Sequence, residues 1–496
     1  MNSVISKIYS PVIRNGGERG EKNINILKDL SKVSSSKKII YRKRGFEKVH
    51  YTKELIKFVL DTEYQQLPPE AISLAKKHFL DCVGVTLAEV AEPRANIIQR
   101  YLDHIDAKGS CRLLGSGRRT TIDNAAFANG IMAHSICFDD TGPSHPSVTI
   151  VPPLIALGEY YHLSGKEILT AQVLAYDVFQ RLNAVTAEAW EMRKRGWHPT
   201  GFFGAVTSAI LSAKLMRLSL TQSVHAAAIA ATMGAGLSQN IGNMGMPLHA
   251  GNASRNGITA ALLAQEGFVA DTQPLEGRFG LMDALCGGPT EYNIEALVEN
   301  MGAPFKLIEP GITIKPYPNC WAHHKVIDAV LYLIHTHGIR ADQVAVIEVD
   351  LQPDKPTYRY LEPKTDLEAR YSLGYGIALC LLDGQLGIAQ FAADRIQDAQ
   401  TKLLMGKIKH VPQSPGPNQN NVTIVLQDGT RYSHNVPYSK GHPHHNPMSD
   451  EETMQKYRLC AGRILSPAGV ERSASMICKL EEVNDLNLLV DTLVQE

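Results

Sequence analysis

The sequence has no long apolar run, no excess of either charge and no closely spaced pair of cysteines. A helix that crosses a membrane needs about 20 consecutive apolar residues, and without one we expect no membrane partner. Fifty basic residues balance fifty acidic ones, which gives no basis for general nucleic-acid binding. The eight cysteines form no CxxC motif, so neither a metal site nor a disulfide framework is predicted. A reducing, cytoplasmic location fits this cysteine usage.

Motifs of several large enzyme classes are absent as well. The chain contains no P-loop, no GxSxG nucleophile motif and no dinucleotide-binding fingerprint. Its composition is otherwise ordinary for a globular protein, with 44% hydrophobic and 20% charged residues. Since 496 residues exceed what one hydrophobic core usually serves, we expect two domains.

The first fifty residues differ in charge from the rest of the chain. They contain twelve Lys and Arg but four Asp and Glu, and they include no secretory apolar segment. We interpret residues 1–51 as a basic, disordered N-terminal extension or an overextended start. The alternative is an organelle transit peptide, which would place the protein in mitochondria.

Apolar periodicity predicts helices over most of the chain from Thr52 onward. Strand patterns are nearly absent until about residue 310. After it, the segment 344–351 alternates apolar and acidic residues, and 421–426 and 431–436 flank an Asp-Gly turn typical of a hairpin. The predicted fold is therefore mostly α: a large all-helical domain of residues 52–311 plus 447–496, with a smaller α+β domain of residues 312–446 inserted.

The C-terminal part of the helical domain is predicted to hold two helices, over residues 450–464 and 480–494. Helices are also expected to begin at Pro152 and at Ala253. The His-rich loop 441–446 lacks a carboxylate or thiol at ligand spacing and is interpreted as a solvated loop.

Four polar segments between the apolar helices combine His, Asp or Lys with Gly and Pro, as catalytic loops on a rigid scaffold do. Their sequences are HSICFDDTGPSHPS (134–147), GWHPTGFFG (196–204), GMPLHAGNASRNG (245–257) and KPYPNCWAHH (315–324).

In the first two segments, imidazoles lie near groups that could tune or use them. His145 is the leading candidate acid/base, oriented by Asp140 and Thr141, because a nearby carboxylate shifts the pKa of an imidazole. His198 precedes a helix start, where a substrate carboxylate is attracted by free N–H groups. The structural alternatives are an Asp/Thr helix cap with a surface His145, and a packed His198.

The other two segments offer groups that recognise carboxylates. His249 and Arg255 bracket a predicted helix start, and Arg is suited to bidentate carboxylate binding. Lys315 lies at the entry to the second domain and could hold an anionic substrate in the cleft. The structural alternatives are an ordinary ion pair for Arg255 and a solvated lysine for Lys315.

Taken together and in this order, the four segments resemble the MmgE/PrpD family over about residues 52–464. That family includes 2-methylcitrate dehydratases, cis-aconitate decarboxylases and iminodisuccinate epimerases. The resemblance implies a helical domain with a smaller lid domain, a homodimer, and no metal or organic cofactor. It also adds Tyr317, in the motif Lys-Pro-Tyr-Pro, to the expected substrate-binding residues.

Two positions depart from the family's pattern. The first motif usually reads Asp-Phe-Asp-Asp-Thr, but here Cys137 replaces the first Asp, which is an active-site residue in the decarboxylases. The third motif usually begins Thr-Lys, and here Met246 replaces the Lys. Both losses remove charge from the region expected to face a polyanionic substrate, which makes decarboxylation of cis-aconitate less favoured.

The predicted function is a lyase acting on a small polycarboxylic acid, 2-methylcitrate-dehydratase-like, by His-assisted proton transfer without a cofactor. His198 would be a second acid/base or a carboxylate contact. The alternatives are a cis-aconitate decarboxylase or iminodisuccinate epimerase type of activity, and a catalytically impaired family member that acts as a binding protein.

Overall fold

The computed structural model describes residues 50–187, 190–350, 360–412 and 421–495. Except for His50 and Tyr51, the predicted N-terminal extension lies outside the described residues. The prediction of a mostly α fold is confirmed. Among the described residues, no helix combines the length and the apolar character that crossing a bilayer requires.

Helices account for nearly all regular structure before residue 290. They are α1 (Tyr51–Asp61), α2 (Pro69–Val90), α3 (Pro93–His104), α4 (Ile122–Ser135), α5 (Ser147–Tyr160), α6 (Gly165–Val185), α7 (Trp190–Lys194), α8 (Pro199–Leu215), α9 (Leu220–Met233), α10 (Pro247–Gln265) and α11 (Leu281–Cys286). Two very short strands, β1 (Cys111–Arg112) and β2 (Arg119–Thr120), pair with each other.

Helices and strands mix in the following segment. Its elements, and the helices that follow them to the C-terminus, are α12 (His324–His337), β3 (Val344–Asp350), α13 (Asp366–Arg370), α14 (Leu373–Asp383), α15 (Ala399–Met405), β4 (Ile408–Val411), β5 (Val422–Leu426), β6 (Arg431–His434), α16 (Asp450–Ala461), α17 (Pro467–Cys478) and α18 (Asn487–Val490).

The larger sheet has the strand order β4-β3-β5-β6. Strand β3 is parallel to β4 and antiparallel to β5. The hairpin predicted around Asp428 is confirmed: β5 and β6 are antiparallel, and Gly429 has φ +87°, the left-handed conformation that glycine adopts most readily.

The buried apolar side chains form two main cores. The larger draws on residues from Leu55 to Ile312 and again from Tyr457 to Leu493. The smaller draws on residues from Val326 to Val436 and covers the sheet. The division into a helical domain and an inserted lid stays a prediction.

Helix α10 packs between α4 and α8 with very little space. A Cβ on Gly251 of α10 would lie 2.6 Å from the carbonyl oxygen of Phe127, and one on Gly257 would lie 2.3 Å from Cβ of Ser208. These small residues bring the three helices together, and the ends of the same helices carry the histidines described below.

Two predicted helix starts were wrong. Helix α5 begins at Ser147 and contains Pro152 and Pro153 in its interior. Asp140 stabilises this start, which is earlier than the predicted Pro152: its Oδ1 accepts a hydrogen bond from Ser147 N at 3.2 Å. Helix α10 begins at Pro247, in the first turn where proline fits well. His249 is therefore helical.

The predicted single helix over residues 480–494 was also wrong. This segment is broken into 3₁₀ turns and the short α18. Asp485 caps Asn487 N at 2.9 Å, and Leu486 N donates to the carbonyl of Leu163 at 2.9 Å, so these N–H groups find partners outside a continuous helix. The preceding helix α17 was missed, although Ser466 and Pro467 form a standard helix start.

We predict that Gly251→Ala lowers the free energy of unfolding by about 1–3 kcal/mol, because the added methyl group overpacks the contact with α4. Denaturant unfolding measures the change. Gly374→Ala in α14 is the matched control, since its Cβ would have no neighbour nearer than 3.5 Å. Equal effects of the two substitutions would contradict the close packing.

Candidate active site

A sharp turn after α4 brings Asp139 back onto the end of that helix. Cys137 makes the turn with φ +53°, a conformation uncommon for residues other than glycine. As a result, Oδ2 of Asp139 lies 3.2 Å from Nδ1 of His134 and 2.8 Å from Nδ1 of His145. One fully buried carboxylate therefore orients two imidazoles.

Two further histidines meet at the starts of α8 and α10. Nδ1 of His198 lies 3.0 Å from Nδ1 of His249, so one ring donates and the other accepts. The segment at Gly236 passes close by, since a Cβ there would lie 3.2 Å from the ring of His249. His198 N also donates to the carbonyl of Gly236 at 3.0 Å.

His134, His145, His198 and His249 form one group, here called the histidine cluster. Ring centroids are 4.6 Å apart for His134 and His145, 6.1 Å for His145 and His198, and 5.1 Å for His198 and His249. Ring nitrogens of the first three members lie within 4.8 Å of one another, a spacing that would also suit a metal ion. The resemblance implies chemistry without a metal.

Lys315 joins the cluster from the segment that precedes α12. Its fully buried Nζ donates to the carbonyl of Cys137 at 3.0 Å and lies 4.0 Å from Oδ1 of Asp139. The backbones of Thr141 and Thr313 exchange two hydrogen bonds of 2.8 Å, which fixes the two segments side by side. Thr141 thus contributes through its backbone to the position of Lys315.

The charges in the site follow from burial and these contacts. Burial alone would raise the pKa of Asp139, but His134, Lys315 and His145 hold it well below its usual range. Burial acts in the opposite direction on the lysine, where Cys137 and Asp139 outweigh it and raise the pKa of Lys315. Asp139 is therefore an anion and Lys315 a cation at neutral pH.

The imidazoles of His145, His198 and His249 are neutral by contrast. Burial lowers the pKa of His145 to about 4, although Asp139 opposes the shift. Burial, with a contribution from His134, also lowers the pKa of His249 to about 4. Burial and the neighbouring imidazoles hold the pKa of His198 well below its usual value. Neutral imidazoles can act as proton acceptors.

Two buried polar atoms of the site have no hydrogen-bond partner among the described residues. They are Nε2 of His134, in the histidine cluster, and Oδ1 of Asp139, beside it. Buried polar groups are rarely left unsatisfied. Both atoms are suited to a polar ligand, and the side chain of His145, 17% exposed, is the nearest route to the surface within the cluster.

Asp140 contacts His145 through its backbone, because its carbonyl oxygen lies 3.2 Å from Nδ1 of this ring. The side chain that orients His145 belongs to Asp139, because neighbouring side chains in this turn point in different directions. Oδ2 of Asp140 instead lies 2.7 Å from Nδ1 of His78 on α2 and accepts a hydrogen bond from the hydroxyl of Ser147. Asp140 thus anchors the loop to α2 and α5.

Arg255 and Tyr317 have partners outside the cluster. The guanidinium of Arg255 lies 4.3 Å from the ring centre of Phe127 and donates to Asn252 Oδ1 at 3.0 Å. The hydroxyl of Tyr317 donates to Asp328 Oδ1 at 2.7 Å. Of the predicted site residues, the structure brings together His145, His198, His249 and Lys315.

Sequence reasoning missed His134 and Asp139 as site residues. His134 lies in the last turn of a helix, and Asp139 adjoins the more prominent Asp140. Their spacing of five residues across a helix end was the available signal, because a tight turn there folds the carboxylate back onto the ring.

Lys456 of α16 ties the two central segments of the site together. Its Nζ donates to the carbonyls of Phe138 at 2.7 Å and Lys315 at 2.9 Å. The same Nζ forms an ion pair of 2.6 Å with Asp81 of α2, and both side chains are at most 4% exposed. A single buried ammonium group therefore positions the backbone on either side of the site.

Comparison with known families agrees with this arrangement. The MmgE/PrpD N-terminal domain matches residues 53–293, and the MmgE/PrpD C-terminal domain matches residues 317–482. The chain belongs to the MmgE/PrpD family. The predicted family is thus confirmed, and with it the prediction of an enzyme, a lyase of MmgE/PrpD type.

Characterised relatives match along most of the chain. A cis-aconitate decarboxylase of Mus musculus is 29% identical, with 85% of this chain and 89% of the relative covered. The Homo sapiens protein of that name is also 29% identical, with 86% and 91% covered. A cis-aconitate decarboxylase of Aspergillus terreus is 23% identical, with 89% and 95% covered.

We predict that Lys456→Met lowers the free energy of unfolding by about 3–5 kcal/mol, because Asp81 is left buried without its cation. Urea unfolding measures the loss. The double substitution Asp81→Asn/Lys456→Met should recover part of it, and Arg458→Met, at a 42% exposed position on the same helix, should change little. Additive losses in the double variant would contradict the pairing.

Proposed function

We propose that the protein is a cofactor-independent lyase that removes water from a small hydroxylated polycarboxylate, in a 2-methylcitrate-dehydratase-like reaction. The observation that carries this proposal is the neutral imidazole of His145, held by the Asp139 carboxylate beside the cationic Lys315. The expected homodimer stays a prediction.

His145 would act as the base. Because the Asp139 carboxylate accepts at Nδ1, that nitrogen carries the proton and Nε2 keeps a free electron pair. Substrate carboxylates near the ring would raise the pKa of His145 from about 4 toward the working pH. Substrate binding would therefore strengthen the base when it is needed.

Lys315 would hold the carboxylate next to the carbon that loses its proton. A cation at this position stabilises the negative charge that develops there in the transition state. Oδ1 of Asp139, which has no hydrogen-bond partner among the described residues, could accept a hydrogen bond from the substrate hydroxyl. Of His198 and His249, the ring that accepts at Nδ1 would then donate from Nε2 to a second carboxylate.

The elimination balances without an added reagent. The C–H bond α to the carboxylate breaks as His145 takes the proton, the C–O bond of the β-hydroxyl breaks, and a C=C bond forms. The proton and the hydroxide leave together as water, which returns His145 to its neutral form.

A second candidate is loss of CO₂ rather than water, favoured by the names of the relatives, which are cis-aconitate decarboxylases. This reaction needs a proton donor at the carbanion, whereas His145 is neutral before substrate binds. Incubation with 2-methylcitrate, citrate, cis-aconitate and iminodisuccinate distinguishes the reactions by mass: loss of water, loss of CO₂, or isomer exchange with deuterium uptake. Loss of CO₂ alone would overturn the dehydratase proposal.

We predict that His145→Ala and Lys315→Met each lower kcat/KM on the substrate identified in that screen by about 10²–10⁴-fold, since each removes a group that acts in the proton-transfer step. The matched controls are His162→Ala and Lys108→Met, at side chains 70% and 84% exposed. Both controls should retain activity. Unchanged turnover in the two site variants would refute the assignments.

The pH dependence of kcat/KM should report the depressed pKa of His145. The base must be neutral, so the rate should stay level from neutral pH downward and fall only as pH approaches about 4, rather than near the usual 6.5. Asp139→Asn removes the anion that raises this pKa, so the decline of kcat/KM on the acid side (the acid limb) should move to a still lower pH. An acid limb near 6.5 in the wild type would identify a different base.

A further inference from the structure

Cys137, Met246 and Tyr371 form a small buried cluster at the edge of the site, here called the sulfur–tyrosine wall. The thiol of Cys137 donates to the Tyr371 hydroxyl at 3.2 Å, and this hydroxyl donates to Sδ of Met246 at 3.0 Å. The three side chains satisfy one another and are at most 5% exposed.

The wall adjoins the proposed carboxylate anchor. Nζ of Lys315 lies 3.5 Å from Sγ of Cys137 and donates to the carbonyl of the same residue. A group bound by Lys315 must therefore lie against or beside the Cys137 sulfur. Any substituent that extends from this bound group toward Met246 contacts the sulfur–tyrosine wall.

The wall offers no positive charge to that substituent. A thioether cannot ionise, and burial, together with Cys137 and Cys320, holds the pKa of Tyr371 well above its usual value. The positive charge of Lys315 is already shared with Asp139. A further carboxylate placed against the wall would lose its water without gaining a cation.

An apolar substituent avoids this desolvation penalty. Methionine is flexible and polarisable and adapts to irregular apolar shapes. The wall also packs against Ile241 and Cys320, which are partly buried. A methyl or longer alkyl group would replace no hydrogen bond there and would leave the Cys137–Tyr371–Met246 chain intact.

We propose that the sulfur–tyrosine wall selects a polycarboxylate whose reacting end carries an uncharged alkyl substituent in place of a further carboxymethyl group. The inference rests on the proposed function, because it takes Lys315 as the anchor. Cys137, Met246 and Tyr371 are then specificity-determining residues.

The test compares citramalate with citrate, which differ by a methyl against a carboxymethyl group on the same carbon. We expect the wild type to favour citramalate in kcat/KM by about 10–200-fold, the range that small apolar pocket contacts provide. Equal values or a preference for citrate would overturn the inference while leaving the proposed function standing.

The double variant Cys137→Asp/Met246→Lys should reverse the preference, because it places a cation where the further carboxylate of citrate would lie and an anion across Tyr371 from it. Aspartate tolerates the positive φ of residue 137 better than most residues do. The control Cys478→Asp/Met244→Lys places the same charges at exposed positions and should keep the wild-type preference. An unchanged preference in the first double variant would contradict the role of the wall.

Met246→Gln keeps the test valid if the charged pair prevents folding. It adds a polar amide without a charge and should reduce the citramalate preference about fivefold or more. If neither acid turns over, the proposed dehydration is contradicted, but the specificity proposal can still be tested. Its test is then the comparison of the calorimetric dissociation constants of the two acids. Tighter binding of citrate, or binding of neither acid, would overturn it.

Discussion

The buried carboxylate of Asp139 determines the electrostatics of the site. It fixes the orientation of two rings through their Nδ1 atoms and gives the buried Lys315 a compensating charge. Without this anion, a fully buried ammonium group would be too costly. The imidazole of His145 and the charged pair thus form one arrangement, in which a proposed base, a cation and an unsatisfied acceptor lie close together.

Backbone contacts from distant parts of the chain hold this arrangement in place. The two backbone hydrogen bonds between Thr141 and Thr313 align two segments, and Lys456 binds a carbonyl of each. Asp140 fastens the same loop to α2 through His78. The segments that carry the proposed catalytic side chains are therefore aligned through hydrogen bonds to their main-chain atoms.

The sequence predicted the helices, the hairpin and four of the clustered residues because these depend on local patterns. Periodicity and turn residues marked α8, α12 and β5, and Gly- and Pro-rich segments marked His145, His198, His249 and Lys315. The choice between Asp139 and Asp140 depended on which way each side chain points after a left-handed Cys137, which no local pattern specifies. Lys456 was missed because its partners are carbonyl groups, which have no sequence signature. The contact of Arg255 with Phe127 was not predicted, because the two residues lie on different helices.

The contact made by Lys456 also bears on how the protein is made. The residue lies 141 positions after Lys315 in the chain, so the ammonium group that binds both segments leaves the ribosome well after the segments themselves. The histidine-bearing helices can pack earlier, since their contacts are closer in sequence. A nascent chain that has emerged only as far as Lys315 would thus hold all the proposed acid/base residues and still lack the Lys456 contact that aligns them, so a working site has to wait for α16.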